Sequence, residues 1–528
     1  MKIISKIIAC IVIMILSLTF IADVSLAEKN SNSAPFYVGV TYCGNSVQAA
    51  EALIDTVKGY TNLFVLQSGT LQWNISAMNE IGDYVIASDL TYAISGGAGN
   101  TIGLNKWLNE AKERWGEQFI GIYYNDELGG KMLDTSVILA KTVITEVHEN
   151  GMSQSISDKI TKDRSGEIMF HDVFNEIRYS YLPNGTATVQ NSSKYTDYPD
   201  GTFTVVTFPK FTYYPDGTVT IVDFENNNFY TVENITKYPS QIPPYEQVIE
   251  QNPIQNNDDA ANAFVNRTKE ELEDPYRSGC LNKTQLDKSI LVFTSDYGLY
   301  WWDYQSGYDL VLAQLGWNNS ITQEIGLVRG AANLQNKNWG TIITWKYTNA
   351  PFLTDGQEMF EQMKTSYETG AEYVIVFNYS EDPQNPNILQ DEHYQALERF
   401  WAEVVQNPEV VHGSIKAEAA IVLPQNYGWG MRNPTDRIWG IWDADNTSQQ
   451  IWNQVQTQLD KYGLKLDIVY EDPDYPAAGR YNNITYVNST FPYAWLIAAI
   501  LLPITTGTLL IYFKRRKNQT TKPVTTTL

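Results

Sequence analysis

Hydrophobic and polar positions along this 528-residue chain alternate between short apolar runs and longer amphipathic stretches from about residue 36 onward. Short apolar runs bounded by turn residues are typical of strands buried in a parallel sheet, and the intervening stretches have apolar residues at helical spacing. The runs predict eight strands, at 36–42, 62–68, 90–95, 119–124, 289–295, 308–316, 339–347 and 372–379. Helices are predicted at 46–58, 75–87, 104–115, 131–149, 321–336, 355–369 and 390–406.

Eight strands alternating with helices predict an α/β fold, a (β/α)8 TIM-like barrel, because helical crossovers bring successive strands together in parallel. An open, doubly wound sheet is the alternative that this pattern leaves open. The alternation stops at about residue 151 and resumes near 289, so an insertion is predicted between the fourth and fifth strands. There Pro183-Asn184-Gly185-Thr186 is followed by Pro-Asp-Gly-Thr at 199–202 and 215–218, which predicts turns of β-hairpins repeating every 16 residues.

The two ends of the chain predict export and anchoring. Residues 1–27 combine two lysines, an apolar run and Ser25-Leu26-Ala27, which is the pattern of a secretory signal peptide. Residues 493–513 form an uncharged apolar run followed by Lys514-Arg515-Arg516-Lys517, which predicts a transmembrane helix with a cytoplasmic tail. The expected location is therefore the cell membrane, single-pass, with the N-terminal part outside the cell.

These patterns divide the chain into eight segments. The predicted order is a signal peptide (1–27), the first half of the barrel (28–150), a β-repeat insertion with a linker (151–258), the second half of the barrel (259–412), a small C-terminal α/β unit (413–471), a stalk (472–492), a transmembrane helix (493–513) and a cytoplasmic tail (514–528). The small unit is expected to dock on the barrel. The loop at 427–442, rich in Trp and Arg, is predicted either to cover the barrel mouth or to seal that domain interface.

Composition excludes several classes of function. With 37 basic and 60 acidic side chains the net charge is −23, which argues against nucleic acid as a partner. The four histidines have no metal-binding spacing, and neither a phosphate-binding loop nor a Gly-x-Ser-x-Gly motif is present, so no metal or cofactor is predicted. Cys43 and Cys280 either form a disulfide or remain buried thiols, and eleven Asn-x-Ser/Thr sequons precede the apolar run, which would make a glycoprotein where the host modifies such sites.

Candidate chemistry lies where barrel enzymes carry it, at the C-terminal ends of the strands. The fourth strand is followed by Asp126-Glu127, two adjacent carboxylates that raise each other's pKa. Hydrolysis of a glycosidic bond uses one carboxylic acid to protonate the leaving oxygen and one anion to stabilise positive charge. Asp126 and Glu127 are therefore the predicted catalytic pair.

An Asp-Glu pair after the fourth barrel strand resembles the acid site of glycoside hydrolases that use substrate assistance, such as the hexosaminidases. The resemblance implies that Glu127 is the general acid and that Asp126 orients the 2-acetamido group of the substrate, which acts as the nucleophile. It covers roughly 36–150 and 289–406 and assigns no specific family. An Asn directly before the acid is usual in many retaining glycosidases, but here Asp126 separates Asn125 from Glu127, which puts the ordinary two-carboxylate mechanism in doubt.

Aromatic and polar residues at the other strand ends are predicted to bind carbohydrate, since sugar rings stack on Trp and Tyr and their hydroxyls bond to Asp, Asn and Lys. The candidates are Tyr124, Asn125, Asp296, Trp301, Trp302, Asp303, Trp345, Lys346, Asn378 and Glu381. The leading hypothesis is thus a membrane-anchored extracellular glycoside hydrolase. The alternative is a surface-layer or adhesion protein whose barrel binds glycan without turnover.

Overall fold

The computed structural model describes residues 36–96, 104–135, 254–273, 281–317, 319–379 and 387–487, together with the strands between 140 and 232. The predicted signal peptide, transmembrane helix, cytoplasmic tail and most of the predicted linker lie outside these residues. In the part of the chain that is described, none of the helices has the length and apolar character needed to cross a bilayer.

The first half of the chain forms four strands and four helices in strict alternation. The strands are β1 (Tyr37–Tyr42), β2 (Leu63–Leu66), β3 (Thr91–Gly96) and β4 (Phe119–Tyr124), and the helices are α1 (Val47–Val57), α2 (Ile75–Ala87), α3 (Leu104–Trp115) and α4 (Leu128–Thr135). The starts of α1 and α2 follow from sequence, because the side chains of Ser46 and Asn74 accept hydrogen bonds from backbone N–H groups in the first turns.

The predicted helix at 131–149 is wrong beyond its first turn. Helix α4 ends at Thr135, and β5 (Ala140–Val147) follows as an antiparallel strand. The segment Thr142-Val143-Ile144-Thr145 is β-branched throughout, which favours a strand over a helix. The β insertion therefore begins near residue 140 instead of 151.

The insertion is antiparallel, as predicted. Its further strands are β6 (Ser153–Lys162), β7 (Ile168–Asp172), β8 (Ile177–Tyr181), β9 (Ala187–Asn191), β10 (Lys194–Asp197), β11 (Phe203–Val206), β12 (Lys210–Tyr213), β13 (Val219–Asp223) and β14 (Asn228–Val232). Eight of the ten strands form one sheet in the order β14-β13-β12-β9-β8-β7-β6-β5, while β10 and β11 pair only with each other among the described residues. Strand β9 pairs directly with β12, so the sheet continues past the β10–β11 hairpin.

Each Pro-x-Gly-Thr repeat lies between two paired strands, which confirms the hairpin interpretation. The pairs that close the three hairpins are Tyr181 with Ala187, Asp197 with Phe203, and Tyr213 with Val219. All three closing pairs are separated by the same number of residues. The turn sequences between them lie almost entirely outside the described residues, apart from Leu182 and Thr186.

The second half of the chain completes the barrel. It comprises α5 (Asn257–Glu273), β15 (Leu291–Asp296), α6 (Tyr300–Gln305), β16 (Leu310–Leu315), α7 (Ile321–Gln335), β17 (Asn338–Ile343), α8 (Gly356–Glu368), β18 (Tyr373–Val376) and α9 (Asp391–Phe400). The closed order β1-β18-β17-β16-β15-β4-β3-β2 confirms the eight-stranded parallel barrel and excludes the open sheet. Helix α5 begins at the end of the predicted linker and continues through 259–273, where no helix or strand was predicted.

The barrel interior is filled with side chains and leaves no channel among the described residues. Residues from all eight strands pack in it, including Leu63, Ala93, Tyr123, Phe293, Leu312, Ile342 and Ile375. Because the interior is packed, a ligand can approach the reactive side chains only from the rim. The C-terminal ends of the strands are the rim to which Asp126 and Glu127 belong.

The small C-terminal unit contains β19 (Ala419–Leu423), α10 (Asn446–Tyr462) and β20 (Leu466–Tyr470), as predicted. A third parallel strand, β21 (Asn483–Tyr486), lies inside the predicted stalk, which is a correction. The unit packs on α7, where the Arg329 guanidinium donates to the Asp467 carboxylate at 2.7 Å with both groups buried. Docking on the barrel is therefore held by an internal ion pair.

Candidate active site

A cavity of about 650 Å³ opens at the C-terminal rim of the barrel. It is lined by Glu127, Asp134, Tyr297, Trp317, Asn319, Arg432, Asn433, Thr435, Asp436 and Arg437. These residues come from the segments after β4, β15 and β16 and from the loop at 427–442. That loop supplies one wall of the cavity with its charged residues and seals the domain interface with its buried Trp429 and Trp439.

Glu127 lies in the cavity in an unusual backbone conformation. Its φ angle is 59°, in the left-handed region that residues other than glycine, asparagine and aspartate rarely adopt. The conformation is held because the Glu127 N–H donates to the Ser295 carbonyl at 3.0 Å and the Glu127 carbonyl accepts from the Lys131 N–H at 2.8 Å. Nine other non-glycine residues among those described also have a positive φ, Leu299 and Phe352 among them, so the conformation positions Glu127 but does not by itself mark a functional site.

The Glu127 side chain is held at both of its oxygens but stays 25% exposed. The Gln314 amide donates to Oε1 at 2.7 Å, and the Lys131 ammonium lies 3.5 Å from Oε2. Gln314 is itself buried at the end of β16 and also donates to the Ser295 hydroxyl at 2.9 Å. The carboxyl group therefore has a fixed position with access to the cavity.

Asp126 lies beside Glu127, above the packed barrel interior. Its Oδ1 accepts hydrogen bonds from the Tyr123 hydroxyl and, at 3.0 Å, from the Ser295 hydroxyl. Burial, and then the charge of Glu127, raise the pKa of Asp126 to about 6, although the bonds from Tyr123 and Ser295 act against this. The adjacent carboxyl groups thus have different surroundings, one bonded within the barrel and one facing the cavity.

Asp296, a predicted sugar-binding residue, is not among the residues that line the cavity. It is fully buried, and its oxygens accept from the N–H groups of Gly129 and Gly130 at 2.6 and 2.7 Å. The carboxylate therefore caps helix α4 directly behind Glu127. A Cβ on Gly130 would lie 2.2 Å from the Tyr297 ring, so only glycine allows this approach.

Two further buried acidic side chains, Asp303 and Glu324, lie near Asp296. Asp303 is fully buried beside it, and among the described residues neither of its oxygens has a hydrogen bond of good geometry. Burial and the neighbouring Asp296 raise the pKa of Asp303 well above its ordinary value. Glu324 accepts from the Tyr300 hydroxyl at 2.5 Å, and burial raises its pKa to about 8. Burial raises the pKa of Asp296 to about 7, so all three groups favour the neutral form.

The wall opposite Glu127 is built from paired charges. The Arg432 guanidinium donates to Asp134 and to Asp436, each at 2.8 Å, and the Tyr297 hydroxyl donates to Asp134 at 2.8 Å. Burial disfavours the charge of Arg432, but the bonds to Asp436 and Asp134 outweigh it and raise the pKa of the guanidinium. Asp134 and Asp436 therefore both form ion pairs with Arg432, whereas Glu127 has no arginine partner among the described residues.

Trp301 and Trp302, two predicted sugar-binding residues, are not among the residues that line the cavity. Both are buried in α6 at the interface with the small unit. The Trp302 ring lies 4.5 Å from the Tyr470 ring and 4.6 Å from the Trp439 ring, measured between centroids. Their large apolar surface closes the domain interface. Asp303 belongs to the same helix and is likewise not among the residues that line the cavity.

Four other predicted residues have structural contacts and are not among the residues that line the cavity. Tyr124 is buried, and the Asn125 amide donates to Glu271 of α5 at 3.1 Å. The Lys346 ammonium forms an ion pair with Glu358 at 2.5 Å, and Asn378 is buried and accepts from the Ile388 N–H at 2.8 Å. Trp345 lies at the rim in contact with Trp317, which lines the cavity. Glu381 lies outside the described residues.

Several residues at the site were missed by sequence reasoning, among them Gln314, Ser295, Asp134 and Trp317. Gln314 could have been predicted from the sequence, because it is the polar residue in an otherwise apolar strand and lies near the C-terminal end of that strand. Asp134 could not have been predicted from the sequence, since its position depends on how α4 packs against the loop at 427–442. In the described ranges, no group of three His, Cys, Asp or Glu side chains is arranged so that it could bind a metal ion. Cys43 is a free thiol, and Cys280 lies outside those ranges.

Gln314 is expected to position Glu127. For any reaction in which Glu127 takes part, we predict that Gln314→Leu lowers kcat roughly 10-fold with little change in KM, because the hydrogen bond that positions the carboxyl group, about 1 to 1.5 kcal/mol, is lost. Gln335→Leu is the matched control, since the buried Gln335 amide donates to the Trp301 carbonyl at 2.9 Å, away from Glu127. Equal kinetic losses in both variants would show that Gln314 has no specific role.

The sequon at Asn378 is expected to carry no glycan. Its side chain is 1% exposed and its Oδ1 holds the Ile388 N–H, so a sugar on its amide nitrogen would disrupt the folded rim. Mass spectrometry of protein made in a glycosylating host tests this. The exposed sequon at Asn446 is the positive control. An occupied Asn378 in folded protein would contradict its placement.

Comparison with known proteins adds little to this picture. No family model matches the chain, and no curated protein matches it. Among solved structures, a likeness is found to the E1021V mutant of the TCP10 domain of CPAP from Danio rerio, with 15% identity and a TM-score of 0.10. The match covers 18% of this chain and 62% of that one, which is less than two thirds of its length. Neither the fold nor the function is argued from it.

Proposed function

We propose that this protein is a membrane-anchored extracellular glycoside hydrolase, with Glu127 as general acid and Asp126 as orienting carboxylate. The observation that carries the proposal is the placement of Glu127. Its carboxyl group faces a cavity of about 650 Å³ at the C-terminal rim of a (β/α)8 barrel, on a backbone held in a left-handed conformation. Enzymes built on this barrel have their active sites at this rim.

The chemistry assigned to Glu127 is proton transfer. In the proposed reaction it donates a proton to the glycosidic oxygen as the bond from that oxygen to the anomeric carbon breaks. Gln314 and Lys131 restrict the carboxyl group to one position, which supports directed transfer because an acid must lie within hydrogen-bond reach of the oxygen it protonates. In the second step Glu127 takes a proton from a water molecule whose oxygen bonds to the anomeric carbon, as the bond from that carbon to the acetamido oxygen breaks.

The chemistry assigned to Asp126 is orientation of the substrate. Its Oδ1 is occupied by Tyr123 and Ser295, and no hydrogen bond to its Oδ2 is found within the described residues. Asp126 does not itself line the cavity, so a 2-acetamido group must reach past Glu127 for this oxygen to accept its N–H. The carbonyl oxygen of that group would then attack the anomeric carbon, so that no second carboxylate is required as nucleophile. The occupied carboxylates Asp134 and Asp436 support this form of the mechanism over a two-carboxylate one.

The proposed location rests on the sequence. The signal-like segment 1–27 and the apolar run 493–513 with its basic flank support an ectodomain outside the cell and a single membrane anchor. The proposed partners are accordingly carbohydrate, at the cavity, and the membrane, through the C-terminal segment.

One observation favours the second candidate, an adhesion or surface-layer protein that binds glycan without turnover. Besides Glu127, the cavity carboxylates among the described residues, Asp134 and Asp436, are both bonded to Arg432. A site with one available acid and an aromatic edge is sufficient for binding. The two candidates differ in turnover and not in the ligand class.

A screen of the full-length protein against aryl glycosides, with and without N-acetyl groups, decides between them. The hydrolase proposal predicts release of the aryl group from N-acetylated substrates and weak or no release from the others. Hydrolysis of non-acetylated substrates alone would remove the role given to Asp126. Absence of release from every substrate, together with measurable glycan binding, would favour the adhesion protein.

A further inference from the structure

Large side chains that are exposed follow three consecutive barrel strands. Trp317 follows β16, Tyr347 follows β17 and Tyr379 follows β18, with exposed fractions of 45%, 45% and 37%. Single exposed aromatic residues need no explanation, but a contiguous group at one edge of a fold is typical of a binding surface. Trp317 and Tyr379 are joined by the half-buried Trp345 between them. We call Trp317, Trp345 and Tyr379 the aromatic rim.

The rings of the aromatic rim are fixed relative to one another. The Trp345 indole N–H donates to the Tyr379 carbonyl at 2.9 Å. The backbone N–H of Trp317 donates to the Trp345 carbonyl at 2.9 Å. The Trp345 and Tyr379 ring planes differ by only 7°, with centroids 5.9 Å apart, and Phe352 supports Trp345 from 4.9 Å. The rim is therefore preorganised, so little conformational entropy is lost when a ligand contacts it.

The aromatic rim is continuous with the proposed active site. Trp317 lines the same cavity as Glu127 and Asn319, and its ring lies 6.3 Å from that of Trp345. A ligand that extends out of the cavity past Trp317 meets Trp345 and then Tyr379. The surface thus has a direction, from the reactive carboxyl group along the C-terminal ends of β16, β17 and β18.

We propose that the aromatic rim binds successive sugar units of a linear β-linked polysaccharide whose reacting bond lies at Glu127. Pyranose units with equatorial substituents present flat C–H faces that stack on aromatic rings, while their edges carry hydroxyls that remain in water. The spacing of neighbouring rings along the rim is comparable to the length of one such unit. The protein accordingly selects chains of several sugars over single sugars. This inference takes carbohydrate as the ligand class from the proposed function, but it does not require that the protein hydrolyses the ligand.

Binding to the Glu127→Gln variant tests the inference without hydrolysis of the ligand. The full-length protein, kept in a detergent without a sugar headgroup, is titrated with cello- and chito-oligosaccharides of increasing length in a calorimeter. We expect affinity to rise with chain length in at least one series. Adding Tyr379→Ala should reduce the affinity for long chains about 3- to 10-fold, the range for loss of one stacking contact, and leave the shortest ligands unaffected. Trp317→Ala should weaken long chains by a similar factor and short ligands as well, because Trp317 also lines the cavity.

Trp73→Ala is the matched control, because Trp73 is 46% exposed and follows β2, which stands across the barrel from β16. Trp317→Phe keeps an aromatic face and should restore most of the affinity lost in Trp317→Ala. Affinity independent of chain length, equal losses in the Trp73 variant, or no binding in either series would overturn the inference. Chain binding through the rim in a protein that hydrolyses nothing would overturn the hydrolase proposal alone.

Discussion

Replacing Glu127 by Gln is expected to lower kcat on unactivated N-acetylated glycosides by roughly 10²–10⁴-fold, the range for loss of a general acid. Gln has nearly the shape of Glu and still accepts the Gln314 amide bond through its carbonyl oxygen, so fold and substrate binding should remain. The chemical step loses its proton donor, and the leaving oxygen must depart as an anion. Steady-state kinetics of the wild type and variant, with thermal unfolding as a check of the fold, measure this.

Asp126→Asn separates the two carboxyl roles. A substrate with an activated aryl leaving group needs little protonation, so it should recover much of its rate in Glu127→Gln but not in Asp126→Asn. The Asp126 variant should be most impaired with N-acetylated substrates, since its proposed partner is the acetamido group. Wild-type rates of Glu127→Gln on an unactivated glycoside would rule out the assignment of the acid.

The stability of the protein is expected to fall as the pH rises from about 4 to about 8. Asp126, Asp296 and Glu324 have pKa values raised to about 6, 7 and 8, chiefly by burial. Between the ordinary carboxyl pKa and these values the folded state binds more protons than the unfolded state, so the free energy of unfolding decreases with pH. For Glu324 alone the limit is roughly 5 kcal/mol, at about 1.4 kcal/mol for each pH unit.

Glu324→Gln isolates this contribution. The variant has no titrating group at that position and can still accept the Tyr300 hydroxyl, so denaturant unfolding at pH 5 and pH 8 should show a smaller difference than in the wild type. Glu361→Gln removes the same charge from the exposed face of α8 and controls for general repulsion in this acidic chain. An unchanged pH dependence in Glu324→Gln would mean that Glu324 ionises inside the folded protein without cost.

The barrel was predictable because its signal is local and repeated. Runs such as Phe119–Tyr124 are apolar throughout, and helices such as Ile75–Ala87 carry both the capping residue and the apolar spacing that define their ends. Where a local signal was weaker, the prediction failed. Ala140–Val147 has charged residues at positions 141 and 146 that fit a helix, although its β-branched centre, 142–145, favours the strand that pairs with β6.

The candidate site was predictable only at the residues that follow directly from strand position. Glu127 and Asp126 are given by the end of β4, and their neighbours Ser295 and Gln314 come from strands far away in sequence. The positions of the tryptophans in the sequence did not show whether each one lines the cavity or packs in the domain interface. Trp302 and Trp317 have the same side chain at comparable places in the alternation, yet one closes a domain interface and the other lines the cavity.

The equal hairpins of the insertion make it adjustable in length. Successive Pro-x-Gly-Thr turns are 16 residues apart, an even number, so adding or removing one unit returns every side chain to the same face of the sheet. The β10–β11 hairpin already illustrates this, because β9 pairs with β12 in regular register from Ala187 with Tyr213 to Gln190 with Lys210 across it. We therefore expect that a unit such as β10–β11, which stands outside the main sheet, can be removed without a change in the register of that sheet.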